Sequence, residues 1–300
     1  MSNTIASLNR KLNNAADLKA VVRTMKAMAA SNINQYEQAV SASDNYFRTV
    51  QLGLAACFHQ REFISVSAQP QHKGSGVIAA VVFGSDQGLV GQFNDVIAEF
   101  AINTLEALPG RKIIWPVGER IQSRVTGSDV EEGSRFLLPN STGAITPLIG
   151  RILVEIETQR EKGNISQVYL FYNCPKTNAN YTPMYQRLLP LDASWQESLA
   201  AIPWPTHSLP EILNHTEEML SALVREYLFV SLFRACTESL ASENASRLTA
   251  MQRAEKNIEE LLQSLNQSYH RLRQSSIDEE LFDVVSGFEA LGGVSHGKPF

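Results

Sequence analysis

Apolar residues recur at steps of three and four through the first sixty positions of the chain. Ile5, Leu8, Leu12, Ala15, Leu18, Val22, Met25, Ala29, Ile33, Tyr36 and Val40 form one stripe, which resumes at Phe47, Val50 and Leu54. Polar residues fill the positions between. A stripe this narrow predicts a long helix with a coiled-coil seam. The last third of the chain has the same period, from Leu220, Leu223 and Tyr227 through Leu248, Met251, Ile258, Leu261, Leu265 and Leu272 to Leu281, Val284, Phe288 and Leu291. Ser208 and Glu211 have the spacing of a capping box with Pro210 in the first turn, and Gly292-Gly293 read as a stop.

Helix breakers agree with this division. Eleven of the 12 prolines lie between Pro70 and Pro210, and no glycine occurs between Gly163 and Gly287. Both flanks are therefore free to be continuous helices. At ~1.5 Å per residue, Ile5 to Phe58 would span roughly 80 Å and Leu209 to Leu291 roughly 120 Å. A compact sphere of this chain would be only about 50 Å across. The C-terminal helix is thus expected to outrun its own globule.

The middle changes character. Val77–Phe83, Lys112–Gly118 and Gln167–Asn173 are short β-rich runs bounded by Gly, Pro and Asn, with helical patterns around Asp95 to Leu108 and Thr146 to Arg160. That alternation predicts an α/β domain with a largely parallel sheet. Met184 to Leu191 reads as an edge strand and Ser194 to His207 as a loop leading to the last helix. The expected fold class is α/β: a long antiparallel two-helix coiled coil from the flanks and a central Rossmann-like domain. The expected boundaries are 1–69, 70–207 and 208–300.

A net charge of −5 argues against nucleic acid as the main partner. No apolar run reaches the ~18 to 20 residues of a membrane span. The N-terminus lacks an apolar signal core and reads as that of a chain made and used in the cytoplasm. Cys57, Cys174 and Cys236 are far apart, without metal spacing, and read as buried small apolar residues.

Candidate chemistry is thin. Gly84 to Asn94 (GSDQGLVGQFN) joins a strand to a helix, where phosphate loops sit. It has no Lys-Ser/Thr after its last glycine, and its Gly-x3-Gly-x2-Gly spacing misses the dinucleotide fingerprint, so a tight turn is the better reading. The six histidines are scattered, and the paired acids Glu217-Glu218 and Glu279-Glu280 read as solvated helix charge. No catalytic, cofactor or metal residue is assigned. The Ala- and Ser-rich patches Lys26–Asn32 and Glu238–Met251 suit two helices packed closely.

These same segments carry a resemblance. ESLASENASRLTAMQRAEKN and SYHRLRQSSIDEELFDVVSGFEAL resemble the closing stretch of the gamma subunits of bacterial F-type ATP synthases. IASLNRKLNNAADLKAVVRTMKAMAASN resembles the opening helix of that family, and SDQGLVGQFN its Asp-x-Gly-Leu-x-Gly-x-x-Asn loop. The matches stand in the family's order and cover essentially the whole chain. Asn32 stands where the family often has lysine and Asp278 where threonine is common; His270, Leu272 and Phe288 are unusual, and Gly293–Phe300 extends past the usual end. The chloroplast cysteine insertion is absent, so thiol control is not expected.

The resemblance implies a non-catalytic rotor shaft, present once per complex and without cofactors. Its coiled coil would rise through a ring of alpha and beta subunits. Its α/β domain would sit beside the epsilon subunit on the ion-carrying c ring, at the cytoplasmic face of the bacterial inner membrane. It further implies partner contacts at Met25, with Arg23 and Lys26 facing an acidic beta segment, and a polar catch at Arg273 and Gln274, with Asp278 nearby. Leu281, Val284, Val285 and Phe288, with Phe282 and Leu291, make a helix end expected to meet both an apolar collar and the chain's own N-terminal helix.

Overall fold

A computed structural model describes residues 4–59, 76–126, 130–176, 181–208 and 216–292, except for the side chains of residues 59, 216, 217 and 290–292. In chain order the elements are α1 (Ile5–His59), β1 (Val77–Phe83), α2 (Phe93–Glu106), β2 (Lys112–Val117), α3 (Glu119–Val125) and β3 (Glu131–Glu132). A 3-10 turn (Thr142–Ala144), α4 (Ile145–Glu161), β4 (Ile165–Pro175), β5 (Tyr181–Leu189), α5 (Ala193–Ala200) and α6 (Thr216–Gly292) follow. Both flanks are single helices, of 55 and 77 residues. Pro210 and Glu211 of the expected helix start, and Gly293 of the expected stop, lie outside the described residues.

The chain divides into two compact units, Met1–Ala27 with Met251–Phe300, and Met28–Ala250. The larger unit holds a five-stranded sheet in the order β3-β2-β1-β4-β5. β1 to β4 pair in parallel and β5 closes one edge antiparallel to β4. Alternation along β1 sorts two cores, because successive side chains of a strand point to opposite faces. Ile78, Ala80 and Val82 meet Ile97, Ala101 and Leu105 of α2 and Ile121 of α3. Ala79, Val81 and Phe83 meet Ile149 and Ile152 of α4 together with Leu54 of α1 and Leu232 and Leu240 of α6. The sheet is thus covered on both faces, one of them by the long helices themselves.

Within this unit α6 is enveloped. Every residue from Ala235 to Asn244 is buried. Small side chains allow the approach: Ala235, Ser239, Ala241 and Ser242 on α6 and Ala29 on α1 are all buried. Several polar groups in the seam find partners, as burial demands, whereas Ser231 Oγ and Ser239 Oγ have none among the described residues. Ser242 Oγ donates to the Asn173 carbonyl at 2.9 Å, and Arg234 bonds Glu238 at 2.6 Å and pairs with Asp44 at 3.2 Å. Cys57 and Cys236 are buried free thiols and Cys174 is half-buried.

The stripe on α1 is sharper than first read. Positions 8, 15, 22, 29, 36, 43, 50 and 57 alternate with 5, 12, 19, 26, 33, 40, 47 and 54, and all are buried or half-buried. Leu18 drops out of the seam and is 57 % exposed. Lys19 takes its place, because a strict seven-residue repeat advances from 12 to 19. Hydrophobicity alone picked the wrong neighbour.

The span Ser194 to His207 is not all loop. Its first part is α5, capped by Asp192, whose Oδ1 accepts from the Trp195 backbone N–H at 3.1 Å. Leu199 is buried, and the Trp195 ring packs edge-on against Phe58 and Tyr227. The prolines that suggested a loop, Pro203 and Pro205, start only after the helix has ended. α3 and β3 were not anticipated; each is short and lies between stronger signals.

Candidate functional site

Residues 84–94 form a clasp within the larger unit. Asn94 Oδ1 accepts from the Ser85 N–H at 2.9 Å while its Nδ2 donates to Ser85 Oγ at 2.8 Å. The Asp86 carboxylate accepts from the N–H groups of Glu119 (3.0 Å) and Leu138 (3.2 Å). Ser246 Oγ on α6 donates to the Val90 carbonyl at 2.6 Å. Gly118, at φ 116°, lets α3 pass so close that a Cβ there would lie 2.8 Å from the Ser85 carbonyl oxygen. The polar groups that make the loop look like a phosphate cradle are therefore engaged in joining β1, α2, α3 and α6. Among the described residues no group of His, Cys, Asp or Glu side chains could hold a metal ion.

Three residues before Ser246, Glu243 is buried in α6. Arg247 contacts it at 2.5 Å. Burial pushes the Glu243 carboxyl up to about 7, against the pull of Arg247 and with help from Asp86. An acid raised in this way gains its proton first in the folded state. Its contribution to stability is full below the unfolded carboxylate range and is lost as pH rises to about 7. Glu243→Gln is expected to remove that component. Its melting temperature relative to the unaltered chain should rise between pH 5 and pH 8, measured by thermal melts of the isolated chain across that range. A difference that does not vary with pH would refute a titrating Glu243.

The smaller unit carries the residues assigned to partners near the chain's start. Met25 is half-buried. Arg23 and Lys26 converge on one carboxylate of α6: Arg23 Nε bonds Glu255 Oε1 at 2.8 Å and Lys26 Nζ bonds Oε2 at 2.5 Å. Lys19 pairs with Glu259 at 2.8 Å. Lys26 and then Arg23 hold the Glu255 carboxyl down to about 2. The sequence reading missed Lys19, Glu255 and Glu259. Their signal is the heptad, which puts Lys19 and Lys26 on the seam, and the i, i+4 acids across from them.

The same pairs set the register. A step of four from Lys19 to Arg23 is matched by a step of four from Glu259 back to Glu255. Extended to its first residue, Ile5, α1 reaches the height of Arg273. The apolar end of α6 lies beyond that point. Leu281 is 63 %, Phe282 75 %, Val284 71 % and Phe288 79 % exposed, with Val285 at 49 %. The expected packing of this end on the N-terminal helix is absent among the described residues, because α1 is too short to reach it. Arg273, Gln274 and Asp278 are exposed. None makes a side-chain hydrogen bond or ion pair among the described residues. No helix among them is long and apolar enough to cross a membrane.

Comparisons with known proteins agree over nearly the full length. The ATP synthase family model matches residues 4–291. The ATP synthase gamma chain of Clostridium acetobutylicum is 26 % identical over 289 residues, covering 95 % of this chain and 97 % of that one. The gamma chain of Brevibacillus brevis is 27 % identical over 300 residues, covering 97 % and 99 %. Among solved structures, a rotor chain of the Euglena gracilis mitochondrial ATP synthase superposes with a TM-score of 0.61 at 18 % identity, covering 91 % of this chain and 98 % of that chain. A chain from the OSCP/F1/c-ring structure of the same enzyme gives 0.67 at 16 % identity, covering 99 % and 98 %.

Proposed function

The chain belongs to the ATP synthase family, among its gamma chains, and on that premise we propose that it is the central rotor shaft of a bacterial F-type enzyme. One observation carries this reading beyond the family match. α6 ends in five apolar side chains that no other described residue covers, on a helix with no break behind them. A helix end of this kind is suited to turning inside an apolar collar of alpha and beta subunits.

In this reading the chain catalyses nothing by itself, and ATP and magnesium bind on the partner subunits. Ion flow turns the c ring and the shaft with it. An asymmetric shaft contacts open and closed beta subunits differently, and rotation shifts their populations by that difference. The α/β domain would rest on the ring beside epsilon, so that the chain is peripheral to the inner membrane at its cytoplasmic face. Arg273 and Gln274 would form the polar catch, with Arg273 offering a planar donor fork to a beta-subunit loop. Asp278, one turn after Gln274, would modulate the catch by its negative charge. Arg23, Met25 and Lys26 would meet the beta subunits at the height of the ion cluster.

The catch assignment gives the test. Arg273→Ala with Gln274→Ala is expected to leave the isolated chain's stability within about 0.5 kcal/mol per site, since both side chains are exposed and bond no described residue. In the assembled enzyme it removes hydrogen bonds to charged groups, each contributing on the order of 1.5 to 3 kcal/mol. ATP turnover and ATP-driven ion pumping in reconstituted vesicles should both fall. Normal turnover and pumping would refute the catch, and a large loss of melting temperature would assign both residues to the fold.

A further inference from the structure

Between Ile5 and Tyr36, α1 carries Arg10, Lys11, Lys19, Arg23 and Lys26 against a single acid, Asp17. A cationic helix of this kind draws an acidic surface on a partner. Three of those five cations are held inside the chain, Lys19 by Glu259 and the other two by Glu255. The arrangement is layered. The Glu255 side chain is only 14 % exposed, whereas that of Arg23, stacked over it, is 58 % exposed. The Arg23 Nη2 also stands 3.8 Å from Glu259. The Glu255 carboxylate thus lies beneath a cationic rim of Arg23 and Lys26 that still faces outward.

A turning shaft must leave each stationary contact as readily as it enters it. An ion pair from Arg23 or Lys26 to a fixed partner would favour one angle of rotation and resist the next. A carboxylate on the shaft itself attracts the same cations at every angle.

We propose that Glu255 is a charge governor on α1: by holding Arg23 and Lys26 against α6, it limits the pull of these cations on an acidic segment of the surrounding subunits. This rests on the shaft reading and names a residue that sets the strength of one of its contacts. Glu255 is a positioning residue; the contact itself is made by the two cations. Its loss should act like friction, slowing rotation without displacing the shaft.

The experiment compares Glu255→Gln and Glu255→Asp with the unaltered chain in the assembled complex, by ATP hydrolysis across ionic strength. An exposed ion pair released to a partner should slow turnover roughly two- to fivefold at low salt for the Gln variant. Most of that loss should return at high salt, as the screening length falls from about 10 Å at 0.1 M to about 3 Å at 1 M. The Asp variant should lie between. In an R23Q/K26Q background the effect of Glu255→Gln should shrink. A slowing that ignores salt and persists in that background would assign Glu255 to the fold and overturn the inference. So would unchanged turnover in a Gln variant that assembles. If the unaltered chain does not copurify with alpha and beta subunits, the shaft reading fails first, and the inference falls with it.

Discussion

Ala245→Pro is expected to cost the isolated chain at least about 3 kcal/mol, because proline removes a helix hydrogen bond and clashes with the preceding turn. The position makes the damage larger than that of a simple kink. On either side of Ala245, Ser242 holds the Asn173 carbonyl of β4 and Ser246 holds the Val90 carbonyl of the clasp. Asn32 reaches Asn244 from α1 at 3.4 Å. A bend at 245 pulls on all three at once. Thermal melts should show a large drop, and copurification with alpha and beta subunits should be lost. A variant that melts and assembles normally would mean that α6 need not be continuous here.

The second large effect belongs to the end of the same helix and has the opposite signature. Phe282→Asp, Val284→Asp and Phe288→Asp, combined, should leave the isolated chain's melting temperature almost unchanged. All three side chains are more than 70 % exposed, and exposed substitutions usually stay within about 0.5 kcal/mol. In the assembled enzyme each carboxylate would enter an apolar collar, at an effective cost of several kcal/mol per ion. Assembly yield or ATP turnover should fall at least tenfold, a change equivalent to about 1.4 kcal/mol. Undiminished assembly and turnover would show that this end meets no collar. The two variants separate what holds the chain together from what it presents to others.

Much of this architecture was legible because it rests on period and punctuation. Apolar residues at steps of three and four and the confinement of prolines gave the two helices. The alternation of short β-rich runs with helical patterns gave the parallel sheet. What could not be read was chemistry arising from register. Nothing local marks Glu255 as the partner of Lys26, since the two are 229 residues apart. The clasp was equally opaque, because an Asp and an Asn in a glycine-rich loop look alike whether they face a phosphate or backbone N–H groups. α5 was hidden by the prolines that follow it. The exposure of Leu281 to Phe288 was half visible: its apolar character was plain, but that α1 stops short of it required the register.

That register also dictates when the chain can fold. Arg23 and Glu255 are separated by 232 residues, so α1 leaves the ribosome long before the partner it packs against. At ~5 to 20 residues per second, the wait is on the order of 10 to 50 s. Throughout it, the part of the α1 seam that faces α6 has nothing to bury it against, and a helix in a protein owes most of its stability to such packing rather than to propensity. The larger unit has the same dependence, since Leu232 and Leu240 of α6 line one face of its sheet. Neither unit can be finished as a nascent domain. α6 completes both, and a ribosome that stops before it releases a product with the core of each unit open.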